Sequence, residues 1–251
     1  FMLIVMMFFS YTIWVILKQK RIDEIKTDFI NNMTHELKTP ISTISLSTDV
    51  LTRPDIIENP QRLNTYARII KEENNRLKTQ VEKVLQMASL ENSSIELEKK
   101  EVDLHQLCLQ TIRSFDLILK DKNGVLTTQF DAKPSIIIAD AFHIGNVLFN
   151  LLDNAIKYSA ENPKIELITY SDRKGIYLEI KDQGIGISDK DKKQIFDKFY
   201  RVTKGDLHDV KGYGLGLNYS KTMVHLHKGW IKLKNNTPHG SIFTIFLPFK
   251  P

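Results

Sequence analysis

Residues 150–159 read NLLDNAIKYS and define one face of a predicted helix. Asn150, Asn154 and Lys157 are separated by four and three residues, so a helix places them side by side. Two amides and an ammonium on one face can hold magnesium and phosphates, because magnesium takes oxygen ligands and keeps several waters. A solvated polar helix face would show the same spacing, and the neighbouring segments must distinguish the two interpretations.

Apolar, β-branched runs surround this helix in the chain and predict strands. They are SIIIAD (135–140), KIELITY (164–170), GIYLEIKD (175–182), WIKLKN (230–235) and SIFTIFLPF (241–249). A second helical run, LGLNYSKTMVHLHK, covers 215–228, and IELEKKEVDL predicts a short strand that leads into a helix beginning near Asp103. Strands mixed with helices predict an α+β layer with a sheet of mixed direction over residues 95–251.

Two glycine-containing segments follow strands or open helices in this part of the chain. Asp182 ends a strand and can accept a hydrogen bond from an exocyclic amine such as that of adenine, while Gly184 and Gly186 let backbone approach a planar ring. A simple turn is the alternative. The second segment opens a helix, where backbone N–H groups form an anion site for phosphates; its residues are Gly212, Gly214, Leu215 and Gly216. No parallel βαβ unit precedes it, which excludes a Rossmann dinucleotide site.

The first third of the chain has the periodicity of two long amphipathic helices. The apolar positions of the first are Ile22, Ile25, Phe29, Met33, Leu37, Ile41 and Ile44, and those of the second are Leu63, Ile70, Leu77, Val81, Val84 and Ala88. Pro54 and Pro60 bracket the turn between them. A lone hairpin leaves apolar surface uncovered, so two copies pairing into a four-helix bundle are expected, which makes the protein a homodimer.

The first helix carries the string THELKTP at residues 34–40. A neutral imidazole such as His35 is a competent nucleophile near its ordinary pKa of ~6.5. The carboxylate of Glu36 can orient that ring, and Thr39 lies one turn further along the same face. Pro40 removes a backbone hydrogen bond just beyond the site. A lone solvated histidine is the ordinary alternative, and the surrounding string argues against it.

Residues 1–17 are apolar and uncharged, and Lys18, Lys20 and Arg21 follow them. A membrane-spanning helix needs ~20 apolar residues, with ~17 as the lower limit. The basic residues predict that the chain beyond them is cytoplasmic. A signal peptide is the alternative, but it would begin with Met and a basic region. Because the run begins abruptly with Phe1, we expect its true start to lie upstream.

Composition sets only broad limits. The chain has 251 residues, 42% hydrophobic and 26% charged, which is ordinary for a folded protein. The formal net charge of +5 allows an anionic membrane surface or nucleic acid as a partner and proves neither. Cys108, the single cysteine, cannot form an internal disulfide and is expected to be a buried small hydrophobe.

Taken together, these strings resemble the sensor histidine kinases of two-component systems. THELKTP is similar to the phospho-acceptor box, and NLLDNAIKYS, DQGIGIS, FDKFYR and GYGLGL are similar, in family order, to the asparagine, first glycine, phenylalanine and second glycine boxes. The resemblance implies ATP and Mg2+ as cofactors. It implies that Asn154 binds the metal with Asn150 beside it, and that Asp182 reads adenine. Lys157 and Tyr158 would lie near the nucleotide, Arg201 near the terminal phosphate, Gly214 and Gly216 in the phosphate loop, and residues 188–211 in a lid.

The resemblance also implies an organisation and an activity. We expect a transmembrane helix at 1–17, a dimerising phosphotransfer hairpin at 18–92 and an α/β-sandwich ATP-binding domain at 95–251. The chain would phosphorylate His35, pass the phosphoryl group to an aspartate of a response-regulator receiver domain, and also dephosphorylate it. It would reside in the cytoplasmic (inner) membrane, with no direct nucleic-acid partner. The space between Leu17 and His35 is too short for the relay module of many relatives. The stimulus would be sensed upstream of Phe1.

Two other functions remain open from the sequence. A topoisomerase-like or clamp ATPase shares the nucleotide fold, but the THELKTP helix and the apolar start argue against it. A non-catalytic membrane scaffold that dimerises and binds a receiver would not need the intact nucleotide boxes.

Overall fold

The computed structural model describes residues 2–91, 96–159, 161–202 and 214–250. Gly212 and lid residues 203–211 lie outside this description, and so do the side chains of Ile22, Ile25, Phe29, Val84 and Ala88. The chain divides into two compact units, residues 1–94 and 95–251.

The first unit is a pair of helices. Helix α1 runs over Met2–Leu51 and helix α2 over Pro60–Glu91, with a short 3-10 helix at Pro54–Glu58 between them. The side chain of Asn59 accepts a hydrogen bond from the Arg62 amide (3.1 Å), which satisfies one free donor at the start of α2. The proline-bracketed turn therefore contains one helical turn of its own, beneath which Ile56 is 5% exposed.

The apolar start of the chain and the histidine segment belong to the same helix. Met2–Lys20 has a mean hydropathy of 1.6 and is long and apolar enough to cross a membrane, and none of it is buried. By length and composition alone this is a candidate span, because a signal sequence near the N-terminus passes the same test.

The hairpin exposes several large apolar side chains. Six apolar side chains are between 38% and 76% exposed: Ile30, Ile41, Leu46, Ile57, Leu63 and Val81. Two of its buried side chains, Ser47 and Gln80, are polar. Among the described side chains of the hairpin, few apolar ones are therefore buried.

The second unit is a two-layer α/β structure. Its helices are α3 Leu104–Arg113, α4 Asp116–Asp121, α5 Ala141–Lys157, α6 Asp189–Lys192 and α7 Gly216–Leu226. Its strands are β1 Lys100–Asp103, β2 Val125–Phe130, β3 Ile136–Ala139, β4 Lys164–Ser171, β5 Gly175–Asp182, β6 Trp230–Asn235 and β7 Ser241–Pro248. The main sheet has the order β2-β4-β5-β7-β6, with β2 and β4 parallel and the other pairs antiparallel.

The predicted strand at 135–140 does not enter the main sheet. Strand β3 pairs with β1 in a separate two-stranded sheet, and β2, which the hydrophobic pattern did not single out, takes the edge of the main sheet. Strand β2 has no buried side chain, which explains the weak sequence signal. The side chain of Asp103 caps α3, as the strand-to-helix prediction required.

Helix α5 supplies a large part of the core. Seven of its side chains are buried, among them Leu151 and Leu152 with no exposed surface, and β5 and β7 bury alternate residues. Cys108 is fully buried, and this burial raises the pKa of its thiol to about 12. The prediction that Cys108 is a buried small hydrophobe is confirmed.

Candidate active site

Asp182 lies at the end of β5, where one of its carboxylate oxygens is hydrogen-bonded to the backbone and the other is available to a ligand. Its Oδ1 accepts hydrogen bonds from the amides of Gly184 (2.9 Å) and Ser241 (3.0 Å). Its Oδ2 accepts none from the described part of the chain, although the residue is only 6% exposed. Burial raises the pKa of this carboxyl, and the two amide hydrogen bonds counteract the rise. Oδ2 is therefore placed to accept a hydrogen bond from a ligand.

The turn between β6 and β7 supports Asp182 from a distant part of the chain. The side-chain amide of Asn236 donates to the Asp182 carbonyl (2.8 Å), and the backbone N–H of Asn236 donates to the Gly240 carbonyl (2.9 Å). Gly240 has φ +108°, and a Cβ there would lie 2.0 Å from the Asp182 carbonyl oxygen. The sequence analysis predicted the strands at 230–235 and 241–249 but no functional residue between them. The glycine that ends this turn was the one available sign of a close backbone approach.

The first glycine segment packs against the end of α5. The Ile185 amide donates to the Tyr158 carbonyl (3.1 Å), and a Cβ on Gly184 would lie 2.5 Å from the same oxygen. Gly186 has φ +69°, a conformation that favours glycine. The structure thus brings Asp182 and Tyr158 together, although 24 residues separate them in sequence.

The asparagine face lies beside the start of α7. The side chains of Asn150 and Asn154 are half-buried and make no hydrogen bond within the described residues. A Cβ on Gly216 would lie 3.4 Å from the Asn150 side-chain carbon, so the second glycine segment lies against this face. Free amide oxygens beside the predicted phosphate loop suit magnesium, which needs few protein ligands once phosphates and waters contribute.

Lys157 has a partner that the sequence did not predict. Its ammonium forms an ion pair with the carboxylate of Asp153, one turn earlier on α5. Asp153 therefore lies close to the predicted phosphate-holding group, and its charge offsets that of the lysine. No three His, Cys, Asp or Glu side chains form a metal-binding group among the described residues.

The second glycine segment is held by the phenylalanine segment. Gly214 has φ +67°, its carbonyl accepts from the Phe199 amide (3.0 Å), and a Cβ there would lie 2.7 Å from the Phe199 backbone. The Asn218 side chain donates to the Phe196 carbonyl (2.8 Å). Leu215, at the cap of α7, gives no side-chain cap, which leaves the first amides of the helix available to an anion.

A buried carboxylate organises the described part of the predicted lid. Asp191 accepts hydrogen bonds from the hydroxyls of Ser188 and Tyr200, the latter at 2.6 Å. Arg201, which follows Tyr200, is half-buried. The predicted phosphate-binding arginine therefore stands next to an anchored residue.

His35 is exposed on α1, and its neighbour Glu36 is held from the other helix of the hairpin. The Gln80 side chain donates to the Glu36 carboxylate (3.3 Å), and Gln80 is 6% exposed. No sequence signal marked Gln80. The Thr39 hydroxyl donates to the His35 carbonyl (3.3 Å), while Thr39 remains exposed. Pro40 has no N–H to offer the Glu36 carbonyl.

Two family models match the chain in the order that the boxes predict. Residues 25–93 match the His Kinase A (phospho-acceptor) domain. Residues 139–251 match the histidine kinase-, DNA gyrase B- and HSP90-like ATPase domain. The chain belongs to the sensor histidine kinases. The predicted family and fold class are confirmed, and the chain carries both modules of an ATP-dependent histidine kinase.

Comparison with known proteins agrees with this assignment. The sensor protein RprX of Bacteroides fragilis is 43% identical over 252 residues, which cover 99% of this chain and 48% of RprX. The catalytic domain of histidine kinase ThkA superposes with a TM-score of 0.56 at 26% identity, covering 62% of this chain and 100% of that domain. A structure of ThkA in complex with response regulator protein TrrA gives a TM-score of 0.59 at 24% identity, covering 88% of this chain and 61% of that one. The chain spans about half the length of RprX.

Proposed function

We propose that this chain phosphorylates its own His35 from magnesium-bound ATP and passes the phosphoryl group to an aspartate of a response-regulator receiver domain. The observation that carries the proposal is the open Oδ2 of the buried Asp182, on a site that also contains the asparagine face and the uncapped start of α7. A buried carboxylate with one committed oxygen selects a donor such as the adenine amine, because an unpaired acceptor there costs about 1–3 kcal/mol.

The remaining groups would hold the triphosphate. Magnesium, when bound, would neutralise phosphate charge, and Asn154 with Asn150 would hold it. The amides at Gly214 and Gly216 would bind phosphate oxygens. Lys157 and Arg201 would add positive charge around the phosphates, with Asp153 moderating that of the lysine. Gly212 completes the proposed loop from outside the described residues. Catalysis would then come mainly from positioning and charge neutralisation.

At the hairpin, a ring nitrogen of His35 would attack the terminal phosphorus while the bond to the bridging oxygen breaks and ADP leaves. The second ring nitrogen would carry the proton and donate a hydrogen bond to the Glu36 carboxylate, which orients the imidazole. The bond from Gln80 restricts the motion of Glu36 and so supports this role. The exposure of His35 suits an acceptor that must meet two successive partners, a nucleotide and a receiver domain.

The hairpin supports a homodimeric membrane protein. Its six exposed apolar side chains need a covering surface, and a second hairpin supplies a matching one. Met2–Lys20 would anchor the dimer in the cytoplasmic membrane, with residues 18–92 and 95–251 as the cytoplasmic phosphotransfer and ATP-binding domains. A receiver as partner accords with the ThkA–TrrA complex. Thr39 would take part in receiver dephosphorylation.

The test is incubation of the full chain with ATP labelled on the terminal phosphate. We expect label on the protein that is lost in acid and kept in base, as phosphohistidine requires. Asn154→Asp should prevent labelling while light scattering still shows a dimer. Label that survives acid would reject the proposal. Release of phosphate with no labelled protein would instead favour a clamp-type ATPase, which shares the nucleotide fold.

A further inference from the structure

Helices α5 and α7 form an antiparallel pair that leads away from the proposed nucleotide site. Three contacts join them in opposite chain order: Asp140 with His227, His143 with Tyr219, and Asn150 with Gly216. The last contact lies at the nucleotide site. Asp140 precedes Asn150 by ten residues, so the first contact lies about 15 Å away along the helix, at ~1.5 Å per residue.

Asp140 is the centre of the distant contact. Its Oδ1 accepts from the His143 amide (3.1 Å) and caps α5. Its Oδ2 accepts from the Glu98 amide (2.9 Å), and its own amide donates to His227 Nε2 (2.9 Å). The residue is 6% exposed. Asp140 therefore joins the start of α5, the residue after α7 and a segment near the start of this unit.

That segment, residues 96–99, is here called the leading segment. Glu98 holds the start of α5 through Asp140, and the Lys99 ammonium donates to the Leu226 carbonyl (3.2 Å) in the last turn of α7. A cation at a helix C-terminus also interacts favourably with the helix dipole. In sequence only residues 92–95 separate the leading segment from α2, which ends at Glu91. The leading segment is thus hydrogen-bonded to both helices at the ends that lie opposite the proposed nucleotide site.

His227 contributes two further hydrogen bonds at this end of the helix pair. It is 1% exposed, its Nε2 accepts from the Asp140 amide, and its Nδ1 lies 2.8 Å from the Met223 carbonyl. These partners require a neutral ring with its proton on Nδ1. Burial lowers the pKa of His227, and the positive charge of Lys99 lowers it further, against the raising effect of the Met223 bond and of Asp140. The hydrogen bonds and the lowered pKa of His227 both favour this one neutral tautomer.

We propose that Asp140 and Lys99 are positioning residues that couple the leading segment to the nucleotide site through α5 and α7. The proposal rests on the proposed kinase function. A displacement of the leading segment shifts the two helices at their far ends and so changes the spacing of Asn150 and Gly216. By thermodynamic linkage, nucleotide bound between Asn150 and Gly216 must stabilise the contacts of the leading segment by the same coupling free energy.

The test is hydrogen–deuterium exchange of the full chain at amide resolution, with and without magnesium and ADP. The amides of Gly184 and Ser241, both bonded to Asp182, report nucleotide binding itself. The amide of Glu98, bonded to Asp140, reports the coupling. We expect exchange to slow at all three in the unaltered chain, by at least about fivefold at Glu98, the lower end of typical allosteric couplings.

Two variants separate coupling from folding. In Asp140→Asn the side-chain oxygen can still cap α5, since asparagine is a good cap, but the amide nitrogen cannot accept from Glu98. Lys99→Met removes the bond to Leu226 together with the positive charge near His227, and it keeps the apolar stem. In each variant, ADP should still slow amide exchange at Gly184 and Ser241. ADP should have little or no effect on amide exchange at Glu98. The KM for ATP should rise by a larger factor than kcat falls. Lys100→Met is the matched control, because within the described part of the chain Lys100 pairs with the exposed Glu98 carboxylate (3.2 Å) and with no group of α5 or α7.

The outcomes are distinct. Slowing at Gly184 and Ser241 without slowing at Glu98 in the unaltered chain overturns the coupling and leaves the kinase proposal intact. Slowing at Glu98 that persists in both variants also overturns it. No slowing at Gly184 or Ser241 rejects the nucleotide site itself, and the coupling with it.

Discussion

The hairpin and the α/β unit place their functional residues in opposite settings. In the hairpin, His35 and Thr39 are exposed on one helix, and large apolar side chains such as Ile41 are exposed as well. In the α/β unit, Asp182 is buried and held by bonds from residues two and 59 positions away. In the proposed function the hairpin presents a group to successive partners, whereas the α/β unit encloses a ligand with groups from distant segments. The residues around an exposed acceptor lie close together in the sequence, whereas the residues that line a selective pocket come together only in the tertiary structure.

Removing the exposed acceptor should have the largest effect. We expect His35→Gln to abolish labelling from ATP and to leave ATP binding nearly unchanged, because the nucleotide residues lie in the other unit. Labelling and the affinity for an ATP analogue are measured on the same preparation. Lys38→Gln, an exposed change one turn away, should keep its label. Retained label in the His35 variant would place the acceptor elsewhere.

The difference in burial should appear in unfolding. Leu151→Ala removes a fully buried side chain of α5 and should lower the free energy of unfolding of the α/β unit by about 2–5 kcal/mol. Trp230 fluorescence in urea reports this unit. Leu109→Ala, 45% exposed on α3, should change it by no more than about 0.5 kcal/mol. Equal losses for the two variants would contradict the described core.

The open oxygen of Asp182 should control affinity for the base. Asp182→Asn should weaken ATP binding about 5- to 150-fold, because losing the buried acceptor costs about 1–3 kcal/mol. Calorimetry with an ATP analogue measures this, while light scattering checks the dimer. Asp172→Asn, near the opposite end of β5, is the control and should bind normally. Unchanged affinity in the Asp182 variant would remove adenine from this position.

Acid should destabilise the α/β unit through His227. Its pKa is lowered in the folded state, so its contribution is fully present above the unfolded pKa of ~6.5 and is lost as pH falls below that value. The loss cannot exceed about 1.4 kcal/mol per pH unit for one group. Urea unfolding of the original chain and of His227→Gln between pH 7.5 and 5 isolates the effect, since the raised pKa of Asp182 acts oppositely in both. Parallel pH profiles would exclude His227 as the cause.

The smallest kinase effect should come from Thr39. Its hydroxyl donates to the His35 carbonyl at 3.3 Å and keeps its lone pairs for a water. Thr39→Ala retains the helix, so autophosphorylation should change little while receiver dephosphorylation with ADP present falls much further. The two rates are measured with a phosphorylated receiver. A parallel fall in both rates would make Thr39 structural, and no change in either would remove it from dephosphorylation.

How much the sequence could predict depended on the separation of the residues involved. The two long helices followed from periodicity, the α+β class from the mixture of strand and helix patterns, and the burial of Cys108 from the tendency of a free cysteine to be buried; all three were found in the structure. The place of β3 outside the main sheet could not follow, because strand pairing depends on distant partners. Gln80, 44 residues from Glu36, and Asn236, 54 residues from Asp182, carried no local signal for the same reason.

The sequence by itself determined the family and the helix faces that carry His35 and Asn154, because helical geometry relates residues three or four apart. Only the tertiary structure decided which atoms remain available. It committed Oδ1 of Asp182 and left Oδ2 open, paired Lys157 with Asp153, and joined Asp140 to His227 across 87 residues. Hydrogen bonding and desolvation depend on contacts in space, and these exist only after the sheet and its helices have packed.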